Sequence, residues 1–91
     1  MDPVLLTAKI FRALGSPIRI QMLLLLSEQD YCACKFPDLL SISQPNSSRN
    51  LDVLRKAGLV ISYRDGQKII YQLKNREIIS LIDQFRNINA K

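Results

Sequence analysis

Cys32 and Cys34 are the only cysteines in the chain, and they stand one residue apart. Two thiolates this close can chelate a soft, thiophilic ion. They can also oxidise, to a sulfenate or to a disulfide whose tight Cys-X-Cys ring is strained and easily reduced. Lys35, beside Cys34, favours the thiolate that either chemistry needs. The plain alternative is two small, half-buried side chains with no chemistry. A second group is polar: Gln44, Asn46, Ser47, Ser48, Arg49 and Asn50 fall within seven consecutive positions. Amides, hydroxyls and a guanidinium at that density can read base edges and grip phosphates. A third group, Arg64 and Lys68, flanks Asp65-Gly66-Gln67. Missing are histidine, clustered carboxylates and a glycine-rich phosphate loop, so a catalytic constellation has little to be built from and an enzyme is not expected.

These groups need elements to hold them. Val4, Ala8 and Phe11, with Leu5, Leu6, Ile10 and Leu14, space an amphipathic helix that Gly15 ends. Ser16 is a good cap for a second helix, with Pro17 at its first position, where a missing N–H does no harm. Residues 18–26 are apolar on almost every side, Arg19 and Gln21 excepted, so this helix is expected to be central, with a loop over 27–30. A short helix is expected over 37–42. Ser43 then caps a longer one over 44–57, pinned to the core by Leu51 and Leu54, partly by Val53, and stopped by Gly58. The polar cluster fills its first two turns, with several side chains pointing outward. A helix with that polar start and an apolar back is built to enter a major groove, its dipole favouring phosphate. Residues 60–64 and 68–73 alternate as two strands around a hairpin turn at Asp65-Gly66-Gln67, with Ile69, Tyr71 and Leu73 inward. Its basic tip suits a phosphate or a minor groove. Asn75 caps a last helix with a broad apolar face, from Ile78, Ile79, Leu81, Ile82, Phe85 and Ile88.

The expected fold is therefore mainly α with a small β-hairpin: a single winged helix-turn-helix domain over 1–91, ordered α-α-α-α-β-β-α. The helix-turn-helix spans about 36–57 and the wing about 60–73. A core this small is marginal, and the greasy last helix is best explained as a homodimer seam over about 75–88, shared with the first helix over about 3–14. Residues 49–76 carry seven basic and two acidic groups, an excess equal to the net charge of +5 for the whole chain. A localised positive excess is the footprint of phosphate contact. The longest apolar run, 22–26, is far short of the ~20 residues of a membrane span. Asp2 and Pro3 open the chain without a basic lead-in, so no signal peptide is read and a cytoplasmic, thiol-reducing setting is expected.

Four stretches in order now carry a resemblance: Phe11-Arg-Ala-Leu-Gly-Ser-Pro-Ile-Arg19, Ser43-Gln-Pro-Asn-Ser-Ser-Arg-Asn-Leu51, Leu54-Arg-Lys-Ala-Gly-Leu59 and Arg64-Asp-Gly-Gln-Lys-Ile-Ile-Tyr71. Together they resemble the ArsR/SmtB family of metal-responsive repressors over nearly the whole chain. Asn50 departs from the pattern, standing where members usually carry histidine; it can still bond a base edge or phosphate. The resemblance implies five helices and two strands, a homodimer on double-stranded, palindromic operator DNA, and repression relieved by an inducer. In the arsenic-responsive branch a Cys-X-Cys at this place binds trivalent arsenic or antimony. Many members add a third cysteine where this chain has Pro37. The resemblance thus offers As(III) or Sb(III) as the inducer held by Cys32 and Cys34, with hydroxide, water, a small thiol or the other protomer completing the coordination; no obligatory cofactor is expected. Without histidine, the last helix could offer a zinc or nickel site only Glu77 and Asp83, and a closed structural zinc site is not expected. No N-terminal cysteine completes a cadmium or lead site.

Alternatives stand beside each assignment. Oxidation of Cys32 and Cys34 to a disulfide would make a redox-sensing repressor. A winged helix can also be a protein-interaction module with no DNA face. Ser47 and Ser48 can simply satisfy helix backbone. Arg49 can pair with Asp52 or Asp38. Tyr63 and Tyr71 are expected to pack in the hairpin rather than stack on bases. Arg64 and Lys68 are expected on phosphate.

Overall fold

The computed structural model describes residues 2–89. Asp2 caps α1 (Pro3–Leu14), its carboxylate accepting from the Val4 N–H at 2.8 Å. Ser16 caps α2 (Pro17–Glu28) through the Arg19 N–H at 3.3 Å, with Pro17 in the first turn. Met22, Leu23 and Leu26 of α2 are fully buried, which makes it the central helix its composition requires. It runs on through Ser27 and Glu28, part of the stretch expected as loop.

The chain then forms β1 (Tyr31–Cys32) and a 3-10 turn (Ala33–Lys35) leading straight into α3 (Phe36–Leu40). Phe36 is fully buried and meets the Tyr31 ring edge-on, with centroids 5.8 Å apart. Helix α3 begins one residue and ends two residues earlier than expected, because Ser41 turns left-handed (φ 55°) and the Ile42 N–H closes onto the Pro37 carbonyl at 3.0 Å. Ser43 then caps α4 (Gln44–Lys56), accepting from the Asn46 N–H at 3.2 Å. Leu51 and Leu54 fix α4 to the core, while Val53 is only partly covered, at 38% exposure. Gly58 stops it at φ 79°, with the Leu59 N–H returning to the Leu54 carbonyl at 3.0 Å.

Strands β2 (Val60–Asp65) and β3 (Lys68–Leu73) form the expected hairpin, with a shorter turn. Asp65 pairs with Lys68, so Gly66-Gln67 alone makes the connection, with Gly66 at φ 64°. Val60, Tyr71 and Leu73 face the core. The expectation of two strands is corrected: β1 pairs antiparallel with β3, Tyr31 opposite Tyr71 and Cys32 opposite Ile70, giving a three-stranded sheet ordered β1-β3-β2. The cysteine unit is thereby fastened to the wing.

Asn75 accepts from the Glu77 N–H at 2.9 Å and starts α5 (Glu77–Asn89). Ile78 and Ile82 are buried, but Phe85 and Ile88 are 57% and 64% exposed. On α1, Val4, Leu5 and Phe11 are 73%, 65% and 56% exposed. A cavity of about 360 Å³ between the two helices is walled by Phe11, Leu14, Leu81 and Phe85. One chain leaves the apolar faces of both terminal helices largely open. Among the described residues no single helix is long and apolar enough to cross a membrane.

Candidate nucleic-acid interface and thiol pair

The first two turns of α4 sort the polar cluster into two sets. Gln44, Ser48 and Arg49 are exposed and Asn46 is half-exposed. Ser47 and Asn50 are buried, at 2% and 8% exposure, which corrects the expectation that they belong to the outward surface. Their spacing from Leu51 and Leu54 explains this: positions 47, 50, 51 and 54 share one helix face. The Ser47 hydroxyl has no partner among the described residues. Asn50 is engaged on both sides of its amide. Its Oδ1 accepts from Arg19 Nη1 at 2.8 Å, and its Nδ2 donates to the Asn46 carbonyl at 2.9 Å and to Asn46 Oδ1 at 2.7 Å. Arg19 also donates from Nε to the Ala13 carbonyl at 2.6 Å and from Nη2 to the Arg12 carbonyl at 3.3 Å. This guanidinium is a residue that sequence reasoning passed over. The available signal was a charged side chain inside an otherwise apolar helix, which has to find acceptors.

Asp52 is taken by Arg55 and by Lys56, the latter at 3.0 Å, and both cations hold its carboxyl below the usual range. Arg49 forms no ion pair among the described residues, so the alternative of an Asp52 or Asp38 partner is not realised. Arg64 and Lys68 are exposed on the wing. Tyr71 packs against the core, where burial raises its hydroxyl pKa. The Tyr63 hydroxyl donates to Asp30 Oδ2 at 2.9 Å, tying the wing to the chain before β1 and raising its pKa.

Cys32 and Cys34 are both free thiols, the first half-buried and the second exposed. The Cys34 N–H donates to Cys32 Sγ at 3.3 Å. Hydrogen bonding from the Cys34 side chain and backbone lowers the pKa of Cys32, while donating to Cys32 raises that of Cys34. The hydrogen bonding thus eases ionisation of Cys32 and opposes that of Cys34. The two thiols, Gln44 and Ser48 at the start of α4, and Gln67 and Lys68 of the wing line one cavity of about 510 Å³. A ligand on the sulfurs would sit against both the start of α4 and the wing. Among the described residues no group of three or more His, Cys, Asp or Glu side chains gathers in one place.

Comparison with known proteins agrees with this geometry. Residues 16–62 match the family model described as the bacterial regulatory protein, arsR family. The HTH-type transcriptional regulator MJ1325 of Methanocaldococcus jannaschii is 40% identical over 81 residues, spanning 85% of this chain and 91% of that one. The arsenic resistance transcriptional regulator ArsR1 of Pseudomonas putida is 36% identical over 74 residues; the match spans 80% of this chain but only 58% of that protein. The crystal structure of Rv0081 from Mycobacterium tuberculosis superposes with a TM-score of 0.81 at 34% identity, covering 99% of this chain and 92% of that one. Polar first turns on α4, a basic wing behind them and these matches make one statement: the chain belongs to the ArsR family of winged helix-turn-helix, DNA-binding transcriptional regulators.

Proposed function

We propose that this chain is a cytoplasmic, homodimeric repressor that holds a palindromic operator and releases it when Cys32 and Cys34 take up trivalent arsenic or antimony. The observation that carries the inducer reading is the shared cavity, where both thiols stand against the first turn of α4 and Lys68 of the wing. Drawing the two sulfurs together strains the 3-10 turn that leads into α3 and the β1–β3 pairing that holds the wing. A coupling of only ~1–3 kcal/mol suffices for a switch. ArsR1 of Pseudomonas putida, named for arsenic resistance, supports this choice of ion. The acidified Cys32 thiol favours one second reading, in which the pair loses two electrons and two protons to a peroxide and joins as a disulfide.

On DNA, Gln44, Asn46, Ser48 and Arg49 meet the major groove while Arg64 and Lys68 meet phosphate. The test is the salt dependence of affinity for an operator duplex, measured by fluorescence anisotropy. Arg64→Ala and Lys68→Ala are each expected to weaken binding to every duplex and to reduce the log–log salt slope by about 1 per protomer. An unchanged slope in both variants would remove the wing from the interface. Affinity with no salt dependence at all would favour a protein-interaction module.

A further inference from the structure

Resting on the reading of α4 as the DNA-contacting helix, we propose that Asn46 reads a hydrogen-bond acceptor on a base edge, with its amide held in that orientation by Asn50 and, through Asn50, by Arg19. The chain of contacts has a fixed polarity. A guanidinium has only donors, so the Asn50 atom 2.8 Å from Arg19 Nη1 has to be its oxygen. The Asn50 nitrogen therefore faces Asn46, and the backbone carbonyl it meets at 2.9 Å, a group that only accepts, requires the same direction. The Asn46 side-chain atom 2.7 Å from that nitrogen is then an oxygen as well. This leaves Asn46 Nδ2, with no hydrogen bond among the described residues, as the end of the amide available to a ligand. Asn46 lies in the first turn of α4 and is half-exposed, whereas Asn50 is buried.

Arg19 has its own orientation fixed by the carbonyls of Arg12 and Ala13 at the end of α1. The direction of the outermost amide is thus set three residues deep, from the backbone of one helix through the side chains of two others. An outward N–H₂ bonds a major-groove acceptor, which guanine (O6, N7), thymine (O4) and adenine (N7) each present, and meets cytosine, whose edge there offers only its N4–H₂, donor to donor. Asn46 then selects against cytosine at one position of each half-site, and Asn50 determines that preference without touching DNA.

The experiment is selection from a randomised duplex library by the full chain and by two variants, followed by sequencing. Thermal melting of each protein checks its fold. Asn46→Ala is expected to lose the preference at one position, about three- to tenfold, and to keep the others. Asn50→Asp keeps an acceptor for Arg19 but cannot donate. Asn46 then turns its nitrogen inward to the introduced carboxylate and its oxygen outward, so cytosine becomes accepted at that position and guanine and thymine, which present only acceptors, are rejected. If Asn46→Ala keeps the wild-type preference at every position, or a folded Asn50→Asp protein still rejects cytosine at that position, the inference is overturned while the DNA-binding reading stands. If the wild-type chain enriches no sequence and shows no salt-dependent affinity, the DNA-binding reading fails and takes this one with it.

Discussion

Two of the polar side chains in the first two turns of α4 face the protein's own interior. Six polar residues at the start of α4 look alike in sequence, yet Ser47 and Asn50 turn inward onto the face shared with Leu51 and Leu54. Ser47 has the sharper consequence. Its buried hydroxyl has no partner among the described residues, and an unmet hydroxyl costs about 1–3 kcal/mol relative to a satisfied one. Ser47→Ala is therefore expected to raise stability by about 1 kcal/mol, read as an upward shift in melting temperature, with operator affinity unchanged. A loss of DNA affinity in that variant would put Ser47 back among the contact residues. The helical spacing that buries these two was legible in the sequence. What it could not show was the donor that holds Asn50, because Arg19 is 31 positions away.

At the scale of elements, caps and stops account for most of what was readable. Ser16, Ser43 and Asn75 each accept an N–H at a helix start, and Gly58 and Gly66 adopt the positive φ their turns require. Gly58 isolates one such effect, since an added Cβ would meet nothing within 4 Å. Gly58→Ala is expected to cost about 1–2 kcal/mol, all of it from the left-handed backbone, measurable by urea denaturation. A cost near zero would mean that the end of α4 relaxes freely. Strand β1 was not legible. Two residues are too few for alternation to register, and Tyr31 and Cys32 are extended because the β3 edge is there to pair with them. That pairing also gives the cysteine unit its route to the wing, so the missed element is part of the proposed switch.

At the scale of the whole molecule, charge and apolar surface divide the chain into two functions. The positive excess of residues 49–76 covers α4 and the wing, while the open apolar faces of α1 and α5 account for the proposed dimer. A charge placed in that seam should break it: Phe85→Asp, at a side chain 57% exposed in the single chain, is expected to sediment as a monomer that keeps its fold. The same variant should lose most of its operator affinity, because a palindrome needs both recognition helices at once. A dimer that survives Phe85→Asp would move the seam elsewhere. The proposed switch lies in the cavity shared by the thiols, α4 and the wing. It is tested most directly by fluorescence anisotropy of the reduced protein on an operator duplex, titrated with arsenite beside the Cys32→Ser, Cys34→Ser double variant. The expected result is release of DNA by the wild type and retention by the double variant. Wild-type binding that arsenite leaves untouched would contradict an arsenic inducer at this pair.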